Sequence, residues 1–295
     1  MHAVLIHEAG GPEVLRYDEA PDPEPGEGEV LVRIEAAGVN HYDLNQRAGM
    51  ASESPLIPGS DGGGRREDTG ERVLVTRAGG TYAELVAVAE GKIWSIPESV
   101  SASAAAALGV PYTTAWWALV DLGELKKGDT LLVQAGSSGT GQATIDVGRS
   151  LGAKVYATAS ESKRDRLREQ GAEPLAYDDP KLVELEADVV FDPVGGEVFA
   201  RSVDALGHEG RLVTPGAVDS PQVSFSLWSL VGKRARIQGL GSVPAERETV
   251  ERIIEMTSKG DLKPVIDREL PLAQAAEAHR AIEARETFGK VILKP

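Results

Sequence analysis

Apolar and polar residues alternate in two different ways along this chain. In the first hundred residues, short apolar runs are separated by turns rich in Pro and Gly, such as PDPEPGEGE at 21–29. These runs predict strands at 3–7, 14–17, 30–36, 72–75, 82–88 and 93–96. The first part of the chain is therefore predicted to form a compact, mainly β domain.

From residue 130 onward, short apolar strands alternate with helical segments. Strands are predicted at 131–134, 155–158, 174–176, 189–191, 212–213 and 236–238. This alternation is typical of an α/β fold with a doubly wound parallel sheet. In the tail, the pattern predicts helices at 246–259 and 272–285 and strands at 264–268 and 291–293.

The tail is expected to return to the first domain. The predicted organisation is a catalytic domain at 1–110 and 264–295, with a nucleotide-binding domain at 111–263 inserted between its two parts. A cleft between the domains is the expected active site. The alanine-rich stretch 102–120 is interrupted by polar residues, Gly109 and Pro111. It predicts two short packed helices, or a helix and a connection, rather than a membrane span.

Residues 130–160, TLLVQAGSSGTGQATIDVGRSLGAKVYATAS, can be read as a strand, a glycine-rich turn, a helix and a second strand. Gly136, Gly139 and Gly141 mark the turn, and Ser138 stands where the G-x-G-x-x-G fingerprint has its middle glycine. In a βαβ unit, such a turn lets the backbone approach a pyrophosphate at the N-terminus of the helix. The sequence therefore predicts a dinucleotide site here.

The end of the second strand indicates which dinucleotide is preferred. Enzymes of this architecture that prefer NAD place an Asp or Glu there to bind the ribose hydroxyls. This strand ends at Ser160, and Lys163 and Arg164 follow with positive charge that suits a 2′-phosphate, although Glu161 opposes them. NADPH is predicted, and the alternative is that Lys163 and Arg164 only solvate the next helix.

Composition excludes several classes of function. The 295 residues carry a net charge of −15, which argues against nucleic acid or an anionic membrane as partner. The chain has no cysteine, so disulfides, thiolate catalysis and thiolate-bound zinc are excluded. No secretory signal is visible at the N-terminus, and a cytoplasmic location is expected.

Several motifs occur in a familiar order: HEAGGPEVLRYDEAPDPEPGEGEVLVRIEAAGVN, ALGVPYTTAWWAL, AGSSGTG, DPVGG, LKPVIDRELPLAQAAEAHRAIEA and GKVILKP. Together they resemble the zinc-independent, zeta-crystallin-like quinone oxidoreductases of the medium-chain dehydrogenase/reductase superfamily. The resemblance implies a GroES-like β domain, a Rossmann domain and NADPH-dependent reduction of a quinone or an activated alkene. It also implies a homodimer, joined through an edge strand near 235–240.

The resemblance bears on metal binding as well. Zinc-dependent relatives have a cysteine ligand after the AAGV strand and a His-Glu pair further on, where this chain has Asn40, Ser60 and Asp61. No catalytic metal is therefore expected. The histidines show no ligand spacing and are predicted to be surface or packing residues, with His41 singled out because it adjoins Asn40: His2, His7, His41, His208 and His279.

Twelve residues are candidate cofactor contacts. Gly136 and Gly141 come from the glycine turn, and the others are carried over residue by residue from the family: Asn40, Thr114, Ser138, Gly139, Thr140, Ser160, Lys163, Tyr177, Gly216 and Arg285. Asn40 and Thr114 are also the catalytic candidates, because they would position the nicotinamide or donate to a developing oxyanion. The alternative roles are turn capping for these two, core packing for Tyr177 and a helix-terminal cation for Arg285.

Two departures from the family pattern keep other functions open. Asn45 stands where relatives have a tyrosine near the substrate, a role that Tyr42 is a candidate to fill, and the segment after Asp61 is about a dozen residues shorter than in relatives. The predicted function is an NADPH-dependent quinone oxidoreductase. The alternatives are an NADPH-dependent enoyl or alkenal reductase, an NADPH-binding protein with little activity and, third, a zinc alcohol dehydrogenase.

Overall fold

The computed structural model describes residues 1–50, 54–241 and 245–295. Its contacts divide the chain into two compact units, one formed by Met1–Val110 with Ala245–Pro295 and the other by Pro111–Pro244. Among the described residues, no helix combines the length and apolar character that crossing a membrane requires.

The strands are β1 His2–Ile6, β2 Leu15–Glu19, β3 Glu29–Gly38, β4 Asp61–Arg66, β5 Arg72–Val75, β6 Leu85–Ala89, β7 Ile93–Ser95, β8 Thr130–Val133, β9 Lys154–Thr158, β10 Glu173–Leu175, β11 Ala187–Phe191, β12 Leu206–Thr214, β13 Arg236–Gly239, β14 Ile266–Pro271 and β15 Lys290–Lys294. The α-helices are α1 His41–Asn45, α2 Ala102–Trp116, α3 Gly139–Ser150, α4 Arg164–Glu169, α5 Gly196–Asp204, α6 Leu227–Val231, α7 Arg247–Lys259 and α8 Ala275–Glu283.

The first unit is built on a largely antiparallel sheet. In the described residues its strand order is β14-β15-β3-β4-β5-β7, β6 pairs with β3, and β1 and β2 form a separate hairpin. Apolar side chains of these strands pack with those of α8, including Val32, Val73, Val86, Val291 and Ala278. The predicted β domain of GroES-like type is confirmed.

Strand β4 was not predicted, because its sequence DGGGRR has almost no β propensity. It nevertheless pairs with both β3 and β5. A Cβ at Gly63 would lie 2.1 Å from the carbonyl oxygen of Ala102, the first residue of α2. The glycines are therefore explained by the close approach of a helix, which tertiary contacts reveal and local propensity does not.

Helix α2 differs from its prediction. It runs without a break through Pro111, whereas the pattern predicted an interruption, and a π-helical turn at Trp117–Leu122 follows it. Nearly all its side chains are buried. Burial on every face stabilises the helix by more than the roughly 3 kcal/mol that an internal proline costs.

The second unit contains a parallel sheet with the strand order β10-β9-β8-β11-β12-β13. All the described pairings in it are parallel. The order reverses direction at β8, as in a doubly wound Rossmann sheet, so this fold prediction is also confirmed. Because the strands are parallel, their carboxyl ends meet at one edge.

Residues 245–263 belong to the first unit, although the sequence placed them in the nucleotide-binding domain. Helix α7 buries Val250, Ile253 and Ile254, and the guanidinium of Arg247 lies 5.7 Å from the centre of the Trp94 ring on β7. The amphipathic pattern showed that this helix has an apolar face. It did not show which sheet that face packs against.

Candidate functional site

The carboxyl edge of the parallel sheet brings together the segments that the glycine motif singled out. The Gly136 N–H, after β8, donates to the carbonyl of Thr158 on β9 at 2.9 Å. The Ala159 N–H, after β9, donates to the carbonyl of Leu175 on β10 at 3.2 Å. The turn after β8 is thus held against the end of β9, and the segment after β9 is held against the end of β10.

Gly136 and Gly141 are glycines for steric reasons. A Cβ at Gly136 would lie 2.8 Å from the Cβ of Ala157 on β9, and one at Gly141 would lie 2.3 Å from the carbonyl oxygen of Ala135. Both distances are shorter than any real carbon contact. The turn is closed so tightly between β8 and α3 that only glycine fits at either position.

Ser138 is the N-cap of α3. Its Oγ accepts a hydrogen bond from the Gly141 N–H at 2.9 Å, which satisfies one of the helix's leading donors. The two donors that precede it in the helix, the N–H groups of Gly139 and Thr140, have no hydrogen-bond partner in the described part of the chain. They lie at the positive end of a 12-residue helix, and the arrangement fits a phosphate group.

A chain of buried hydrogen bonds supports the turn from below. The Ala135 N–H donates to Thr158 Oγ1, and the Thr158 hydroxyl donates to Gln134 Oε1 at 2.6 Å. The Gln134 amide then donates to Ser202 Oγ at 3.0 Å. Ala135 has a left-handed φ of 52°, and this series of hydrogen bonds holds its N–H in place.

This series of hydrogen bonds ends at the carboxylate of Asp192, after β11. Asp192 accepts hydrogen bonds from the Ser202 hydroxyl at 2.7 Å and from the N–H groups of Val194 and Gly195 at 2.7 and 3.1 Å. Burial raises the pKa of Asp192, and these three donors oppose that shift. Sequence reasoning noted Asp192 only within DPVGG and missed Gln134 and Ser202, since isolated polar residues in apolar surroundings carry no motif.

Four other predicted contacts of the second unit follow the carboxyl ends of strands in the same sheet, and a fifth, Thr114, lies in a helix. Ser160 is exposed after β9, and Lys163 is half-buried at the end of the 3-10 turn that follows. Tyr177 is half-buried two residues after β10, and Gly216 is exposed two residues after β12, with open space where a side chain would be. Thr114 is buried within α2.

The remaining two predicted residues belong to the first unit. Arg285 is exposed just after α8 and has a left-handed φ of 56°. Asn40 is buried at the end of β3 and precedes α1.

The Asn40 side chain is held by two charged residues. Its Nδ2 donates to Asp61 Oδ2 at 2.8 Å, and its Oδ1 accepts from the Lys290 ammonium at 2.5 Å. Lys290 also donates to the carbonyl of Val39 at 2.7 Å. Burial lowers the pKa of Lys290, and the carboxylates of Asp61 and Asp43 oppose that shift.

Asp43, in α1, is the second buried carboxylate near Asn40. It accepts hydrogen bonds from the Asn40 N–H at 2.8 Å, the Ser60 hydroxyl at 3.0 Å and the Tyr82 hydroxyl at 3.2 Å. Burial raises its pKa to about 6, and the Asn40 N–H and the Lys290 ammonium oppose that rise. Ser60 and Asp61, at the family's metal-ligand positions, are thus both bonded within this cluster.

His279 joins the same cluster through Tyr82. Arg47 can only donate, so the Nδ1 that faces it at 3.3 Å is an acceptor, and Nε2 carries the proton toward Tyr82 Oη at 3.2 Å. Burial, with the cations of Arg47 and His41, lowers the pKa of His279 to about 3. Among the described residues, no group of three or more His, Cys, Asp or Glu side chains is arranged to hold a metal ion.

Comparison with known proteins assigns the chain to a family. The alcohol dehydrogenase GroES-like domain matches residues 26–98, and the zinc-binding dehydrogenase family matches residues 170–293. The quinone oxidoreductase of Pseudomonas aeruginosa is 30% identical, with 97% of each chain aligned. The chain belongs to the zeta-crystallin-like quinone oxidoreductase family. This family is part of the medium-chain dehydrogenase/reductase superfamily.

Two solved structures place this family member among nicotinamide enzymes. An NAD-dependent alcohol dehydrogenase superposes with a TM-score of 0.93 at 32% identity, over 100% of both chains. A mycobacterial protein complexed with NADPH superposes with a TM-score of 0.90 at 29% identity, also over 100% of both chains. The chain is therefore an oxidoreductase of the medium-chain type, which uses a nicotinamide cofactor and a small-molecule substrate.

Proposed function

We propose that this protein is an NADPH-dependent, zinc-independent quinone oxidoreductase. The observation that carries the proposal is the end of β9, where the exposed Ser160 takes the place of a carboxylate and Lys163 and Arg164 follow. A carboxylate there would repel a 2′-phosphate, whereas a hydroxyl and two cations attract one. The quinone as substrate is supported by the relative from Pseudomonas aeruginosa.

The residues at the sheet edge would hold the cofactor. The N–H groups of Gly139 and Thr140 suit the pyrophosphate, and Ser160 with Lys163 suits the 2′-phosphate. Tyr177 would flank the adenosine, and Arg285 would reach the phosphates. Gly216, which has no side chain, would let the protein backbone approach the cofactor. When bound, NADPH supplies a hydride from C4 of its nicotinamide.

The protein's remaining task is orientation. A quinone that accepts a hydride becomes a hydroquinone anion, which water can protonate, so the site requires neither a metal nor a dedicated acid. Asn40 and Thr114 are proposed to orient the nicotinamide and to donate to the developing oxyanion. Both are buried in the structure, as a precise positioning role requires.

The decisive experiment measures oxidation of NADPH and of NADH with a panel of quinones and α,β-unsaturated ketones. We expect turnover with quinones and a higher kcat/KM for NADPH than for NADH. Turnover with the enones alone would replace the proposal by an enoyl or alkenal reductase. Tight NADPH binding without turnover on any substrate would identify a binding protein with little activity.

Lys163→Ala tests the proposal that Lys163 binds the 2′-phosphate. We expect the Kd for NADPH to rise about 10- to 100-fold, because a charge-assisted hydrogen bond contributes about 1.5–3 kcal/mol, while the Kd for NADH stays unchanged. Titration of intrinsic fluorescence measures both constants. Lys154→Ala, at the exposed opposite end of β9, is the matched control and should change neither. Equal weakening of both cofactors by Lys163→Ala would contradict the assignment.

We also propose that β13 mediates the homodimer expected from the family resemblance. It is the last strand of its sheet, and α6 leads directly into it. Three apolar side chains of α6 are largely exposed: Leu227 at 70%, Trp228 at 79% and Val231 at 62%. An unpaired edge beside an exposed apolar face is typical of an interface.

Trp228→Glu should convert the dimer to a monomer, because it places a charge in a contact that must exclude water. Sedimentation velocity at micromolar concentration measures the change. Val183→Glu, at another exposed apolar residue of the same unit, is the control and should remain dimeric. A wild-type protein that sediments only as a monomer would contradict the dimer itself.

A further inference from the structure

Asp61 accepts a hydrogen bond from the side chain of Asn40, one of the two catalytic candidates. We propose that Asp61, with Lys290 as its counter-ion, is a positioning residue that orients the Asn40 amide. The inference rests on the proposed function, because it assumes that Asn40 faces the nicotinamide.

The Asp61 carboxylate is completely buried and receives hydrogen bonds from three elements. Asn40 Nδ2, at the end of β3, and the Val110 N–H, in α2, donate to Oδ2 at 2.8 and 2.9 Å. The hydroxyl of Thr76, just after β5, donates to Oδ1 at 2.7 Å. A carboxylate that accepts from three elements at once fixes their relative positions within the first unit.

Two glycines make room for these charged groups. A Cβ at Gly109 would lie 2.2 Å from Asp61 Oδ1, so any other residue would push α2 away from the carboxylate. A Cβ at Gly38 would lie 3.0 Å from Cε of Lys290 and 2.0 Å from the carbonyl oxygen of Ala106. The packing around Asp61 and Lys290 therefore leaves no space for side chains at either position.

The orientation of the Asn40 amide follows from its two neighbours. An ammonium only donates and a carboxylate only accepts, so Oδ1 must face Lys290 and Nδ2 must face Asp61. The second N–H of Nδ2 makes only a long contact of 3.4 Å with the Gly38 carbonyl. That N–H is available to a bound nicotinamide or substrate oxygen, and the cation on Oδ1 strengthens it as a donor.

The same carboxylate also holds α2, because it accepts the N–H of Val110. Loss of the Asp61 charge would weaken this bond and release the Asn40 amide at the same time. Loss of Lys290 would leave the carboxylates of Asp43 and Asp61 buried without their ammonium.

The test compares NADPH with adenosine 2′,5′-bisphosphate, which carries the 2′-phosphate but has no nicotinamide. Asp61→Asn and Lys290→Met should raise the Kd for NADPH about tenfold, because the nicotinamide loses its positioned donor, and should leave the Kd for the bisphosphate unchanged. They should also lower kcat by about 100-fold. Lys294→Met, on the same face of β15, is the control and should change none of these values.

Circular dichroism establishes whether each variant folds. Thr76→Val retains the shape of the side chain and removes one bond to Asp61, so it supplies a milder variant. We expect it to fold and to raise the Kd for NADPH about threefold without affecting the bisphosphate. The inference is overturned if folded variants bind NADPH as tightly as the wild type does, or if they weaken both ligands equally. Failure of the proposed function appears separately, as a wild type that does not reduce quinones.

Discussion

Gly141→Ala should nearly abolish activity, with kcat/KM for NADPH falling by about 100-fold. The added methyl group would lie 2.3 Å from the carbonyl oxygen of Ala135 and 2.9 Å from Cα of Gly136, both of which belong to the backbone. Neither atom can rotate away, so the first turn of α3 must shift outward. Its N–H groups would then no longer point at the pyrophosphate. Steady-state kinetics and NADPH titration measure the loss.

Gly216→Ala provides the comparison. Nothing lies within 4 Å of a Cβ at Gly216, so the variant should unfold at the wild-type temperature. If the backbone approaches the cofactor there, as proposed, NADPH binding should still weaken. Gly141→Ala should lose both stability and NADPH binding. Unchanged NADPH affinity in Gly141→Ala would show that the turn after β8 does not hold the pyrophosphate.

Gly63→Ala should destabilise the first unit by about 3 kcal/mol, near the upper end of the usual cost of overpacking. Its Cβ would lie 2.1 Å from the carbonyl oxygen of Ala102, at the start of α2, and β4 is held between β3 and β5 and cannot retreat. The thermal midpoint should fall by about 10 °C. Differential scanning calorimetry measures this shift.

Gly79→Ala is the matched control for Gly63→Ala. Gly79 is exposed, and a Cβ added there would have nothing within 4 Å, so the same substitution should leave the midpoint unchanged. A wild-type midpoint for Gly63→Ala would mean that β4 and α2 are less closely packed than the structure indicates.

Much of the second unit could be predicted because its determinants are local. Buried parallel strands are continuous apolar runs, and each is separated from the next by a helix or turn with its own signals. The strand at 189–191 was found within Ala187–Phe191, and the glycine turn that begins at Gly136 leads into a helix as expected. Gly141 is required by contacts with Ala135 and Gly136, which are nearby in the sequence, and a motif can record contacts of this kind.

Two features of the first unit could not be predicted in this way. Strand β4 depends on the close approach of α2, about forty residues further along the chain. The bond from Lys290 to Asn40 joins positions 250 residues apart. A lysine in GKVILKP carries no local sign that its ammonium is buried against an asparagine, so Lys290 was not among the candidate residues.

The sequence by itself determined the family, the two kinds of sheet and the glycine turn, because each rests on short-range periodicity or on several motifs in a fixed order. Only the tertiary structure decided that α7 packs in the first unit, that Asn40 is held between Lys290 and Asp61, and that Gln134, Ser202 and Asp192 support the turn. The physical reason is that a buried charge or amide is stable only when hydrogen-bond partners surround it. Those partners come from distant parts of the chain, and no local pattern specifies them.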